Sequence, residues 1–470
     1  MTPSEELDAE FEKLGKKIGK ELASLYSDLL YEAKRQLAIL LKKTQGLTTS
    51  QKNDILRYSA IYKEISEMIG ARTDNIENAI INHKELSAFL GYTGAVYEME
   101  SYGNIDLDVY KPDLDYVEQV VNHPVAGKNL SERIHNNTTK LASAVSVSLQ
   151  RGAAEGKGYA DISRLFSGQF GMSYRNAMRI ARTEGGRVRT ITSQKAYEDG
   201  LKLGVKDLKK QWLATLDIKT RPQHGILDGQ IVPADGTFKY GDLEAIGPRC
   251  FLSADLDINC RCTTIPVIDE KEQEDRLRRD NMSGKNGNWK NYSEWQKWKD
   301  EQLKSQGSSF AIERKKVLNQ ASDKKQAKKY RSVGIKTGDI NAFQQIKYNN
   351  PEEYNSLKAQ YSLLNGYKTG KYDKVVNVNK QAPHNYATRQ PGKSYLLEGV
   401  DAQKLFNEYV GMGKPEVNKK GYGTGKETIR ADKIIGVAVS KKRGAELTEY
   451  FKIHNSKKGA HIVPSFSKGA

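Results

Sequence analysis

"KKQWLATLDIKTRPQHGILDGQIVP" (209–233) is where this chain stops reading as helix. Apolar residues come here in short runs, Trp212-Leu213 and Ile231-Val232, punctuated by Pro222, Gly225 and Gly229. That spacing marks short strands and turns. Upstream, to about residue 200, helical periodicity prevails apart from a break between about 100 and 128. Thr2 and Glu5 make a capping box with Pro3 at the first helical position, so a helix starts there. Leu7, Phe11, Leu14, Ile18, Leu22, Leu25 and Leu29 then repeat at four and three residues, the buried stripe of a helix seam within the chain or between copies. Downstream, the stretch after Asp269 is charged and poor in aliphatics. It reads as a linker with intermittent helix that buries little surface. Its aromatics, Trp289, Tyr292, Trp295 and Trp298, suggest a docking patch. Residues 310 to about 366 look helical and polar, and the last hundred residues return to strands and glycines. The expected fold class is α+β: a helical region over 1–128, a small α+β domain over 129–268, a charged linker with helices over 269–370, and a C-terminal α+β domain with a small antiparallel sheet over 371–470.

The 470 residues carry a formal charge of +17, which points to anionic partners, nucleic acid first. No run of about 18 apolar residues occurs, so no membrane span is expected. The acidic, charged N-terminus does not read as a secretory signal. Three cysteines, Cys250, Cys260 and Cys262, are too few for a disulfide framework and fit a reducing compartment. All three lie within thirteen residues. With His224 they make a candidate Cys3His structural zinc site, the alternative being buried free thiols. Asp217, Arg221, His224 and Asp228 read as a hydrogen-bonded network fixing a loop. Arg175, Arg179, Arg182 and Arg189 fall on one helix face, either a grip on nucleic-acid phosphates or a solvated face.

Read in order, "ARTEGGRVRT" (181–190), "WLATLDIKTRPQHGILDGQIVP" (212–233) and "NCRC" (259–262) resemble the phage Mu F-like head morphogenesis, or minor head, proteins over about residues 130 to 268. The resemblance implies a virion component of a tailed phage or prophage, near the portal in the capsid interior. It also implies portal and capsid proteins as partners and a part in procapsid assembly, DNA packaging or ejection.

Residues 371–470 hold 19 Lys plus Arg against 9 Asp plus Glu, more than half of the chain's net charge, and three of its seven histidines, His384, His454 and His461. Clustered imidazoles in a basic unit suit metal-independent RNA cleavage. One takes the 2′-hydroxyl proton, another protonates the leaving 5′-oxygen, and lysine or arginine stabilises the phosphorane. In "FKIHNSKKGAHIVPS" (451–465) the alternation predicts a hairpin. A two-residue turn at Lys458-Gly459 puts His454, Ser456 and His461 on one face, and a three-residue turn separates the histidines. Together with "NKQAPHN" (379–385), "GKSYLLEGVDAQKLFNEYVGMGK" (392–414) and "ADKIIGVAVS" (431–440), this segment is similar to the polymorphic toxin type 50 domain, of the barnase–EndoU–colicin–RelE-like group, over about 375 to 466. That resemblance implies a toxin-like endoribonuclease needing no cofactor, with phage DNA or host RNA as its nucleic acid and an immunity protein as a further partner. The matching positions are His384, Ser394, Tyr395, His454, Ser456, Lys457 and His461. His384 and His461 are expected as the proton-transfer pair, with His454 and Lys457 orienting or neutralising the phosphate. Asn455 departs from the pattern, which has an aromatic there.

Two alternatives stand beside that expectation. One is a purely structural virion protein whose basic C-terminal domain binds DNA or a host factor without turnover. The other is an ADP-ribosyltransferase, since toxins of that class also ride on such head proteins. Its chemistry calls for Glu-x-Glu or Gln-x-Glu near a Ser-Thr-Ser strand, and neither occurs after residue 371.

Overall fold

The computed structural model describes residues 2–43, 55–109, 111–124, 127–155, 157–268 and 276–467. They form two compact units, residues 1–299 and 300–470, and the fold is mixed α+β.

The first unit begins with α1 (Pro3–Lys43), and the capping box is present: Glu5 N donates to Thr2 Oγ1 and Thr2 N to Glu5 Oε2. Helices α2 (Ile55–Ala71), α3 (Thr73–Gly103), α4 (Leu114–Asn122), α5 (Leu130–Ala154) and α6 (Tyr159–Lys202) follow. The stripe on α1 faces inward, with Leu7, Ile18, Leu22 and Leu29 buried, and packs on α3 and α6 of the same chain. The seam is therefore intramolecular. In "ARTEGGRVRT" each residue type has a packing reason. Glu184, buried on α6, pairs with Lys84 of α3 at 3.2 Å and with Arg133 of α5 at 3.8 Å. A Cβ on Gly185 would sit 2.6 Å from His83 Nε2, and one on Gly186 2.4 Å from Arg249 Nε. The glycine pair thus lets one helix and one guanidinium approach the α6 backbone closely.

After α6 come β1 (Lys209–Leu213), α7 (Pro222–Leu227), β2 (Ile231–Pro233), β3 (Phe238–Tyr240), β4 (Leu243–Ala245), α8 (Ala254–Asp257) and β5 (Thr263–Val267). Strand β1 is central in an antiparallel sheet ordered β2-β1-β5, with Lys209 opposite Val267 and Leu213 opposite Thr263. A short hairpin, β6 (Arg278–Arg279) and β7 (Asn286–Gly287), and α9 (Tyr292–Lys304) succeed it. The expected linker and docking patch are corrected here. Trp295 is fully buried, Trp289 and Tyr292 nearly so, and Arg278 forms a buried two-pronged ion pair with Asp228 at 2.8 and 3.0 Å. Composition suggested solvation because it counts charges without their partners. Here Arg278 and Lys299 neutralise Asp228 and Asp280 inside the fold. The charged run 269–275 lies outside the described residues.

In the second unit α10 (Phe310–Arg331), α11 (Ile340–Asn349) and α12 (Pro351–Lys368) enclose a small core of Ala327, Tyr330, Ile335, Phe343 and Leu357. The chain continues through α13 (Val378–Gln381), a 3-10 turn (Ala382–His384), β8 (Tyr395–Leu396), α14 (Ala402–Tyr409), β9 (Lys414–Val417), β10 (Gly423–Arg430), β11 (Gly436–Ser440), β12 (Gly444–Thr448), β13 (Tyr450–His454) and β14 (His461–Pro464). Two antiparallel sheets result, ordered β14-β13-β10-β9 and β12-β11-β8. Phe451, Ile453 and Ile462 point from the first sheet into a core shared with Leu405 and Phe406 of α14.

Candidate active site and candidate metal centre

The face of the C-terminal sheet opposite that core carries the histidines. His454 lies directly across from His461, and Lys426 of β10 lies across from His454 on the other side. Neither turn considered from sequence forms. Residues 455–460 make a longer loop, and because His454 and His461 close the ladder as a pair, their side chains share a face. Their ring centroids are 4.6 Å apart.

His384 reaches the same place through its own motif. The buried Gln381 amide acts as a surrogate strand, accepting from Ile462 N at 2.7 Å and donating to Ile462 O at 3.3 Å. Asn377 N donates to Ala460 O at 2.7 Å, and Ala460 N to Val375 O at 2.9 Å. These bonds hold the segment against the outer edge of β14, and the following 3-10 turn places the His384 ring 5.9 Å from that of His461, nearly parallel to it. Lys426, His454, His461 and His384 therefore form one row across the sheet.

His384 Nδ1 is 2.6 Å from Ser394 O. A carbonyl only accepts, so Nδ1 carries a proton and Nε2 is left for other work. His461 Nδ1 is buried and makes no hydrogen bond. Burial, then the positive charge of His384, Lys380 and Lys426, pushes His461 down to about 4. Burial, then His461, Lys426 and Lys452, does the same to His454, also to about 4. Both rings are neutral at pH 7 without an anion between them.

The remaining expected residues are placed less centrally. Ser456 Oγ donates to Gly459 O at 2.7 Å and accepts from Lys380 at 3.1 Å, so it shapes the loop. Lys457 is exposed; the lysines whose charge reaches the imidazoles are Lys380, Lys426 and Lys452, which sequence reading missed. Lys426 was findable only through strand register. Tyr395 lies beside Arg389, whose guanidinium carbon is 4.5 Å from the Tyr386 ring centre and 5.0 Å from that of Tyr395. Ser394 Oγ accepts from Val439 N, tying β8 to β11. Asn455 accepts a hydrogen bond from the Tyr367 hydroxyl.

Of the expected network of four in the first unit, Arg221 and His224 meet at 3.5 Å, and the other contacts run elsewhere. Asp217 pairs with Arg261, Asp228 with Arg278, and Arg221 donates to the carbonyls of Asp255 and Ile258. His224 turns inward instead: its Nδ1 is 3.2 Å from Cys262 Sγ and 3.4 Å from Cys260 Sγ. Against the cost of burial, the hydrogen bond from Cys262 and the charges of Arg249 and His224 hold Cys260 well below the ordinary thiol range. Burial and the neighbouring Cys260 push Cys262 well above it. The buried group of His224, Cys260 and Cys262 can hold a metal ion, its ligand atoms lying within 4.8 Å of one another. Cys250 is not part of that group, which corrects the four-ligand expectation. It packs against the same apolar cluster, and burial pushes its thiol up to about 12. Of the arginine stripe, Arg175, Arg179 and Arg182 are exposed. Arg189 is engaged, pairing with Asp8 at 3.2 Å and lying 3.7 Å over the Phe11 ring.

Comparison with known proteins finds one family match within each compact unit. Residues 143–265 match the family described as Phage Mu protein F like protein, and residues 376–464 match Bacterial toxin 50. Among curated relatives, the NAD(+)–arginine ADP-ribosyltransferase EFV of Enterococcus faecalis is 38% identical over 275 residues, 58% of this chain and 56% of that protein. Minor head protein GP7 of Bacillus phage SPP1 is 27% identical over 301 residues, 63% of this chain and 97% of that protein. An uncharacterized protein of Haemophilus influenzae is 28% identical over 211 residues, 43% of this chain and 41% of that protein. The chain thus spans about half the length of the Enterococcus relative. No solved structure matches the chain.

Proposed function

We propose that this chain, which carries a Phage Mu protein F like domain ahead of a Bacterial toxin 50 domain, is a minor head protein of a tailed phage or prophage with a ribonuclease-like effector at its C-terminus. The particle half of the reading is supported by GP7 of phage SPP1, nearly all of which aligns with this chain. Portal and capsid proteins are then its partners, and an immunity protein would be the effector's. Among the described residues no helix is long and apolar enough to cross a membrane.

The observation that carries the effector half is the convergence of three imidazoles from distant parts of the sequence beside Lys426. A phosphodiester seated along the row meets a neutral His461 that accepts the 2′-hydroxyl proton as that oxygen attacks phosphorus. His384, held by Ser394 O, delivers a proton from Nε2 to the departing 5′-oxygen. The products are a cyclic phosphate and a free 5′-hydroxyl, and the two rings exchange protonation states. Lys426 and Lys380 offset the negative charge that accumulates on phosphorus oxygens, and His454 orients the phosphate beside His461. Arg389 with Tyr386 and Tyr395 offers cationic and aromatic surface for a neighbouring base. Imidazole acid–base chemistry of this kind requires no metal of its own.

The test is incubation of the full chain with RNA in EDTA, beside a His384→Ala, His461→Ala double variant. Cleavage by the wild type, reduced about 100- to 10,000-fold in the variant, is expected. Equal cleavage by both, or none by either, removes the catalytic reading. A salt-sensitive gel shift without cleavage leaves a nucleic-acid-binding domain. For the head assignment, the chain is expected to co-sediment with capsids, and absence from particles refutes it.

A further inference from the structure

The buried group on the first unit is outside the chemistry proposed above, and it has the features of a built metal site. Tetrahedral zinc with bonds of about 2.3 Å to sulfur and 2.0 Å to nitrogen needs sulfur–nitrogen edges of about 3.5 Å. His224 Nδ1 already stands 3.2 and 3.4 Å from the two sulfurs, so an ion fits with small adjustments. We propose that His224, Cys260 and Cys262 bind one zinc ion, with a water molecule in the fourth position.

Local structure explains how the short Cys-x-Cys spacing achieves this. Asn259 takes a left-handed backbone conformation (φ 57°), and its N–H is held by Thr183 Oγ1 of α6 at 2.9 Å. The chain turns sharply there, and the two following cysteines both face the inner end of α7. Cys262 N donates to Cys260 Sγ at 3.4 Å, the kind of outer hydrogen bond that steadies a thiolate ligand. Arg249 holds the turn from the other side, donating to Cys260 O and to Gly186 O, each at 3.0 Å. Trp212, Phe238 and Phe251 enclose the group in apolar surface. Arg221 Nη1 lies 3.5 Å from His224 Nε2; binding through Nδ1 leaves the ring proton on Nε2, so the guanidinium must turn away from the ring, towards the carbonyls of Asp255 and Ile258 that it already meets.

Zinc is favoured over harder cations because two of the three ligands are sulfur and none is a carboxylate. Two thiolates balance the ion's charge, which suits a buried site. The open position faces a cavity of about 20 Å3 bordered by Thr220, Arg221, Asn259 and Arg261. That is room for one water and little more. Zinc would join α7 to the entry of β5 across a region whose strands run three to five residues, where apolar packing is thin.

The full chain, produced with zinc in the medium, is assayed for metal content, then stripped and reloaded with cobalt. One zinc per chain is expected, and cobalt should give thiolate charge-transfer absorption with the strong visible bands of a four-coordinate site. Bound cobalt should also quench Trp212, whose ring centre is 6.3 Å from that of His224. Cys260→Ser and Cys262→Ser should each abolish both signals, and Cys250→Ser should retain them. A wild-type chain with both thiols reduced, yet free of zinc and silent with cobalt, overturns the proposal whether or not the variants fold. Loss of metal in Cys250→Ser overturns this ligand set. Neither result bears on RNA cleavage in EDTA by the other unit.

Discussion

Acidification should loosen the C-terminal sheet through His454 and His461. Their folded values of about 4 lie below the ordinary 6.5, so as pH falls the unfolded chain takes up protons first. Stability is complete above about pH 7 and is lost progressively as pH falls from 6.5 towards 4. On a fully shielded ring, a fall from 6.5 to about 4 corresponds to ~3 kcal/mol. These rings are half-buried and open to water on one side, which roughly halves that figure. Part of the His454 shift is the charge of His461, so the two together amount to ~2–3 kcal/mol. The assay is hydrogen exchange of amides in 450–464, read by mass spectrometry from pH 7 to pH 4, for wild type and a His454→Gln, His461→Gln variant. The wild type should lose ~2–3 kcal/mol more protection than the variant over that range, since the comparison cancels every other titrating group. Inorganic phosphate should recover part of the loss by pairing with the imidazolium forms. Parallel titration of the two proteins would refute the electrostatic account of the site.

Replacing Lys426 with Met removes a positive charge beside both rings, so their pKa values should rise and the pH profile of RNA cleavage should shift upward. Glu184→Gln leaves Lys84 buried beside Arg133 without its counter-charge. A loss of ~3–5 kcal/mol in thermal unfolding is expected, while a Lys84→Met, Glu184→Leu double variant should recover most of it. Gly186→Ala drives a methyl group into the Arg249 guanidinium and should lower stability by ~1–3 kcal/mol. Tryptophan fluorescence will follow it, all four tryptophans being in the first unit.

Elements governed by near neighbours were legible directly. The capping box and stripe of α1, the switch to strands and turns in 209–233, and the half-buried period of 451–454 all follow from spacings within a few residues. The expected span of the head-protein resemblance, 130 to 268, narrows to 143–265, and that of the toxin resemblance, 375 to 466, to 376–464. Pairing over long separations was not legible. Asp228 finds Arg278 fifty residues away, which turned an expected linker into part of a core.

The amino-acid order determined which residues were available: a basic C-terminal unit with three histidines, and a His and Cys-x-Cys set in its middle. Tertiary structure decided which of them meet. The Gln381 clamp on Ile462 brings His384 beside His461, strand register adds Lys426, and the turn at Asn259 selects two cysteines for His224 and leaves Cys250 out. The physical reason is range. Backbone period fixes a side chain's face locally, but the partner across a ladder or a loop depends on hydrogen bonds closed between segments far apart in the chain.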